Sequence, residues 1–185
     1  MKKILQLSEC SNLKVLAICT LLMGVFMAII LPYEARLYAD ISHQLSSPDT
    51  QLFYTSDWLY QLARDLGEEG RRFYIISRLR FDILWPLVFT GFFFVLISLL
   101  YKHVTGKKYY LLIPLMGLVF DYLENLFVSI VFAFYPIELT SIAVLAGIFT
   151  LMKWTMITMT TALIVIGLGL FIIKTMLNKK EDIND

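Results

Sequence analysis

The chain has 185 residues, of which 58% are hydrophobic, and a mean hydropathy of +0.72. Soluble domains carry about 45–50% apolar residues, so the composition argues for a single membrane domain over residues 1–185. The formal charge of +1 excludes a basic nucleic-acid footprint, and Cys10 and Cys19 form no C-x-x-C, which leaves neither a disulfide framework nor a thiol-redox motif.

Lys2, Lys3 and Lys14 lead into an apolar run from Val15 to Leu31. The run is long for a signal core, and no small-x-small cleavage site follows Pro32 and Tyr33. It reads as a retained first span, about 15–32. Residues 33–80 form the long polar region. Ser47-Pro48-Asp49 and Ser56-Asp57 both read as helix starts. Leu59, Leu62 and Leu66, with Trp58 beside them, make an apolar stripe ending at Gly67. That stripe predicts a short amphipathic helix, which lies on the membrane surface, caps the mouth of the bundle, or acts as a lid. Gly70-Arg71-Arg72-Phe73-Tyr74 then leads to Arg78, Arg80 and Asp82. Arg78 and Asp82 are spaced i, i+4 and share a helix face. This stretch reads as interfacial anchoring by Arg and Tyr, or as a clamp for a headgroup or anionic substrate, because guanidinium matches phosphate and carboxylate.

The second span covers about 83–101. Pro86 falls in its first turn, Gly91 offers a close helix approach, and Phe92-Phe93-Phe94 faces lipid and neighbouring helices. A basic loop follows from Lys102 to Lys108. His103 within it and His43 in the polar region are expected to be solvated, with no metal-ligand spacing, so no metal or cofactor is expected. The third span covers about 109–135. Pro136-Ile137-Glu138 is a tight hairpin without Lys or Arg. The fourth apolar stretch, about 139–173, is interrupted only by Lys153. Its 35 or so residues make roughly 50 Å of helix against a hydrocarbon core of about 30 Å. It therefore projects beyond the bilayer, breaks, or leaves Lys153 snorkelling at an interface. The tail, 174–185, is polar and expected to be disordered.

The chemistry centres on Phe120-Asp121-Tyr122-Leu123-Glu124-Asn125 in the third span. Asp121, Glu124 and Asn125 are spaced i, i+3, i+4 and share one helix face, which Gly117 and Val128 extend. Ionisable groups inside a span are costly, so this stripe faces the bundle interior or a water-filled cavity. Antiparallel pairing of spans three and four about the hairpin puts Lys153 level with Asp121 and Tyr122, about 21–24 Å from the turn. An ion pair of Lys153 with Asp121 or Glu124 follows, with Thr150, Thr160 and Thr161 nearby.

All six Arg residues lie between Arg36 and Arg80, whereas the Lys residues, Lys153 apart, lie near the termini or between Lys102 and Lys108. The N-terminus, the Lys102–Lys108 loop and the C-terminal tail each carry three Lys, and the Pro136 hairpin none. The six Arg lie in a long region balanced by acids, which translocates more freely. The positive-inside rule then predicts cytoplasmic termini and an extracytoplasmic 33–80 region. The expected fold is all-α: a four-helix transmembrane bundle with a helical extracytoplasmic segment between spans 1 and 2, in the bacterial cytoplasmic (inner) membrane.

Gly70-x-x-x-Tyr74, Asp82, Pro86 and Asp121-x-x-Glu124-Asn125 together resemble a pattern in small uncharacterised bacterial four-span integral membrane proteins, a resemblance that implies no activity. Four spans with midplane acids are also similar in architecture to the sterol isomerase and sigma-2 receptor group, although this chain has no histidine within its spans.

Three functions fit these residues. The first is a binding protein that holds a lipid or a small amphiphilic ligand in a polar pocket, with Asp121, Glu124, Asn125, Lys153, Arg71, Tyr74, Arg78 and Asp82 as ligand-binding candidates. The second is a membrane enzyme acting on a lipid, with Asp121 or Glu124 as catalytic acid or base. The third is a proton-coupled transporter subunit. A purely structural polar cluster is the alternative to all three. No G-x-S-x-G, H-E-x-x-H, P-loop or Gly-rich dinucleotide turn is present.

Overall fold

A computed structural model describes residues 2–102 and 108–184, with side chains for residues 3–102 and 108–176. His103, expected to be solvated, lies outside the described residues. His43 is exposed. Among the described residues there is no strand. The helices are α1 (Lys2–Glu9), α2 (Leu13–Ile41), α3 (Ser56–Asp65), α4 (Gly67–Arg80), α5 (Leu84–Leu100), α6 (Leu112–Phe134) and α7 (Thr140–Asn184). Three segments are long and apolar enough to cross a membrane: Leu13–Ile41, Tyr109–Phe134 and Thr140–Met176. α4 and α5, bent by about 40° at their junction, form a fourth if they count as one span.

The helix of the first span, α2, runs ten residues past Leu31, straight through Pro32. A π-turn at Phe26–Ile30 explains the continuity. The Leu31 N–H reaches back to the Phe26 carbonyl, and the wider turn makes room for a proline that cannot donate its own hydrogen bond. The extension carries Glu34 and Tyr38 to the level of α4. Asn12 caps the start, its side chain accepting from the Lys14 and Val15 N–H groups at 2.9 and 3.0 Å.

Ser47-Pro48-Asp49 makes only a single 3-10 turn, Pro48–Thr50. The next helix starts at Ser56, and Thr55 rather than Ser56 caps it, accepting from the Trp58 N–H at 3.3 Å. The apolar stripe of α3 packs onto protein rather than lipid. Leu59, Leu62, Ala63 and Leu66 join Val128, Val131 and Phe132 of α6 and Ala143 and Ala146 of α7 in one buried cluster. Gly67, at φ 63°, turns the chain sharply from α3 into α4. Gly147 allows the closest approach in this cap: a Cβ there would lie 2.2 Å from the Tyr54 carbonyl oxygen.

At the opposite end, Phe94, Ile97, Tyr101 and Leu111 form a second buried cluster, and the Tyr101 hydroxyl donates to the Leu163 carbonyl at 2.8 Å. α2 packs on α5 through Phe26, which stacks on Trp85 at 5.9 Å. Gly91, expected to mark a close approach, has nothing within 4 Å of a built Cβ; Gly147 and Gly167 play that part instead.

α7 is one unbroken helix of 45 residues, about 67 Å long. It continues through residues 174–184, which were expected to be disordered. That stretch contains no Pro or Gly, so a helix already nucleated by packed turns propagates through it.

Candidate functional site

The site forms where α4, α6, α7 and the 3-10 turn at Asp49 meet. On α6, the i, i+3, i+4 spacing sets Asp121, Glu124 and Asn125 toward α7, and Glu124 is fully buried. On α7, Lys153 is only 4% exposed, so its side chain is held inside the protein. Its amino group pairs with Glu124, with Asp121 at 3.3 Å and with Asp49 at 3.6 Å. The expected Lys153 pair is thus a cluster in which one ammonium serves three carboxylates. Asn125 donates to Asp121 at 3.4 Å, a long contact, and its own carbonyl oxygen has no hydrogen-bond partner among the described residues. Thr150 and Thr160 are buried on the same side of α7, each donating to the carbonyl four residues back. Thr161 is exposed on the far side.

Arg78 is the second cation. It pairs with Asp82, four residues on, and with Asp49. Its guanidinium lies over the Tyr74 ring, 4.3 Å from the centroid. Tyr74 is fully buried, with no hydrogen-bond partner for its hydroxyl among the described residues, so it contributes its ring to the site. The bend between α4 and α5 is pinned to α6 by the Tyr122 hydroxyl, which donates to the Ile83 carbonyl at 2.6 Å. Glu34 on α2 closes the outer edge, accepting from Ser77 and from Arg80, each at 3.2 Å.

Asp49 joins the two halves. Among the described residues it is the one paired with both Arg78 and Lys153, and the sequence reading used it only as part of a helix start. Ser47 donates to its carboxylate at 3.2 Å. Burial pushes the Asp49 carboxyl up, but the Arg78 guanidinium and Lys153 ammonium outweigh that and hold it below its ordinary value. Periodicity could not place a loop carboxylate against two helices; the excess of acids in region 33–80 was the available signal.

Asp49, Asp82, Asp121 and Lys153, with Arg78, line a cavity of about 410 Å³ that also takes in Glu34, Tyr38 and Trp85. Asp121 and Lys153 border a second, apolar slot of about 50 Å³ between α5, α6 and α7, lined by Phe89, Leu118 and Ile157 among others. Two cations therefore face four carboxylates, Asp49, Asp82, Asp121 and Glu124. Oxygens of Asp49, Asp121 and Glu124 lie within 4.8 Å of one another, as they would around a cation, and the Lys153 ammonium occupies that role.

Arg71, grouped with these residues in the sequence reading, stands apart. It donates to the Ala63 carbonyl at 2.7 Å and lies over the Tyr135 ring at 4.4 Å. It borders a different cavity, between α4 and α6.

No protein-family model, curated protein or solved structure matches the chain.

Proposed function

We propose that the chain is a four-span protein of the bacterial cytoplasmic membrane, with cytoplasmic termini, that binds a small amphiphilic or lipid ligand by its polar head. The single observation that carries this reading is the pair of adjoining cavities: a charged one bounded by Arg78, Asp49, Asp82 and Lys153, and an apolar one that begins where Asp121 and Lys153 end. A cluster that served only to hold helices together would be paired and dry; this one borders ligand-sized space. The polar head sits among the charges, and its apolar part enters between α5 and α6. The resemblance of Asp121-x-x-Glu124-Asn125 to small bacterial four-span proteins agrees with the proposed topology.

A second reading is acid–base chemistry on that ligand. Its support is the surplus of two carboxylates over cations, which leaves Asp82 or Asp121 available to exchange a proton with a bound head.

The test is thermal unfolding of the purified protein in detergent against a panel of amphiphiles of differing head charge. A ligand raises the melting temperature of the wild type. Asp121→Asn, which keeps the side chain's shape and leaves Lys153 paired with Glu124, melts as the wild type does without ligand but loses the ligand-induced rise. If no member of the panel separates the two proteins, the cluster is structural.

A further inference from the structure

We propose a second ligand site, separate from the first: the cleft between α4 and α6 at the Pro136 end binds the phosphate headgroup of an anionic phospholipid. The cleft has a volume of about 410 Å³ and is lined by Glu68, Arg71, Arg72, Ile75, Ile76, Phe132, Ala133 and Tyr135. Its lining joins charged side chains, Glu68, Arg71 and Arg72, to apolar ones, Ile75, Ile76 and Phe132.

Among the described residues, neither Arg71 nor Arg72 has a carboxylate within ion-pair distance. Arg71 is nonetheless held in place, by one hydrogen bond to Ala63 and by the Tyr135 ring beneath it. One donor of its five is thereby used, so a fixed fork remains for an anion. Arg72 is exposed and makes no hydrogen bond or ion pair among the described residues. Below it on α4 come Ile76 and Leu79, spaced four and seven residues on and therefore on one helix face. They are 46% and 66% exposed. A guanidinium above an open apolar stripe matches a phosphate above an acyl chain, and a free phosphate would leave that stripe uncovered. Glu68 in the same lining disfavours a second negative group on the same ligand, which restricts the head to a single phosphate diester.

The experiment titrates the purified full-length protein with short-chain phosphatidylglycerol, short-chain phosphatidylcholine and inorganic phosphate, and reads the adducts by native mass spectrometry. The wild type binds phosphatidylglycerol about tenfold more tightly than phosphatidylcholine, because both offer a phosphate diester but the choline cation of the latter is repelled by the Arg71 and Arg72 guanidinium groups. Arg72→Gln removes that preference. Arg72→Lys keeps most of it, and Arg36→Gln, at an exposed position on α2, leaves it unchanged. A preference that survives Arg72→Gln, or that the wild type lacks, overturns the proposal. Inorganic phosphate displacing phosphatidylglycerol at equal concentration overturns the lipid assignment in favour of a free anion. Because Arg72 lies outside the Asp49–Lys153 cavity, the proposed amphiphile site stands or falls independently of these outcomes.

Discussion

The Lys153 ammonium and the Asp121 carboxylate lie 3.3 Å apart, joining α7 to α6 well inside the protein. Around this contact Glu124 is fully buried and Asp49 closes in from a loop more than 70 residues away in sequence. The cluster's behaviour on substitution follows from which charge is left without a partner.

Removing the cation is the severe case. Lys153→Met leaves Glu124 buried without its counter-charge, which costs about 3–5 kcal/mol. Adding Glu124→Gln to Lys153→Met recovers part of that loss, because the fully buried charge is gone while Asp121 still lacks its cation. A double-mutant cycle on unfolding free energy in detergent checks the coupling; additive effects would contradict the ion pair.

Asp49 gives the site a pH dependence. Its carboxyl titrates below the ordinary 3.8 in the folded protein, because Arg78 and Lys153 outweigh burial. A depressed folded value means that its stabilisation is complete above the unfolded value and disappears as pH falls through the folded one. The stability gap between wild type and Asp49→Asn is therefore constant from about pH 7 to about pH 5 and closes below about pH 4. Unfolding free energies of both proteins across that range measure it.

Glycine substitutions separate close approach from open space. Gly147→Ala drives a methyl group into the Tyr54 carbonyl, and overpacking of this kind costs about 1–3 kcal/mol. Gly91→Ala meets nothing within 4 Å and stabilises its helix by about 0.5–1 kcal/mol. Melting temperatures of the two variants should move in opposite directions.

Leu59→Ala tests the packing of α3. The side chain is fully buried against α6 and α7, so truncation costs about 2–5 kcal/mol. If α3 instead rested on lipid, the melting temperature would hardly change.

What the sequence made legible was local or periodic. The i, i+3, i+4 stripe of Asp121, Glu124 and Asn125, the i, i+4 pair Arg78–Asp82, and the depth match of Lys153 to Asp121 all follow from helix geometry alone, and those contacts form. Long-range placement was not legible. Asp49 reaches the site through a loop whose path depends on Tyr54 lying against Gly147, a contact with no periodic signature. Pro32 hid the extension of α2, because the π-turn that accommodates it leaves no distinct residue pattern. Arg71 and Arg78 look equivalent in sequence and, seven residues apart, share a face of α4, yet the roughly 10 Å of helix between them sets one against Tyr135 and the other against Asp49.

The central claim is that the Asp49–Lys153 cavity holds an amphiphile. Mass spectrometry of lipids and small molecules co-purified with the wild type, Asp121→Asn and Glu124→Gln tests it most directly. The account predicts one amphiphilic species retained by the wild type and lost from both variants, with all three proteins folded. The same complement of bound species in all three folded proteins would contradict it.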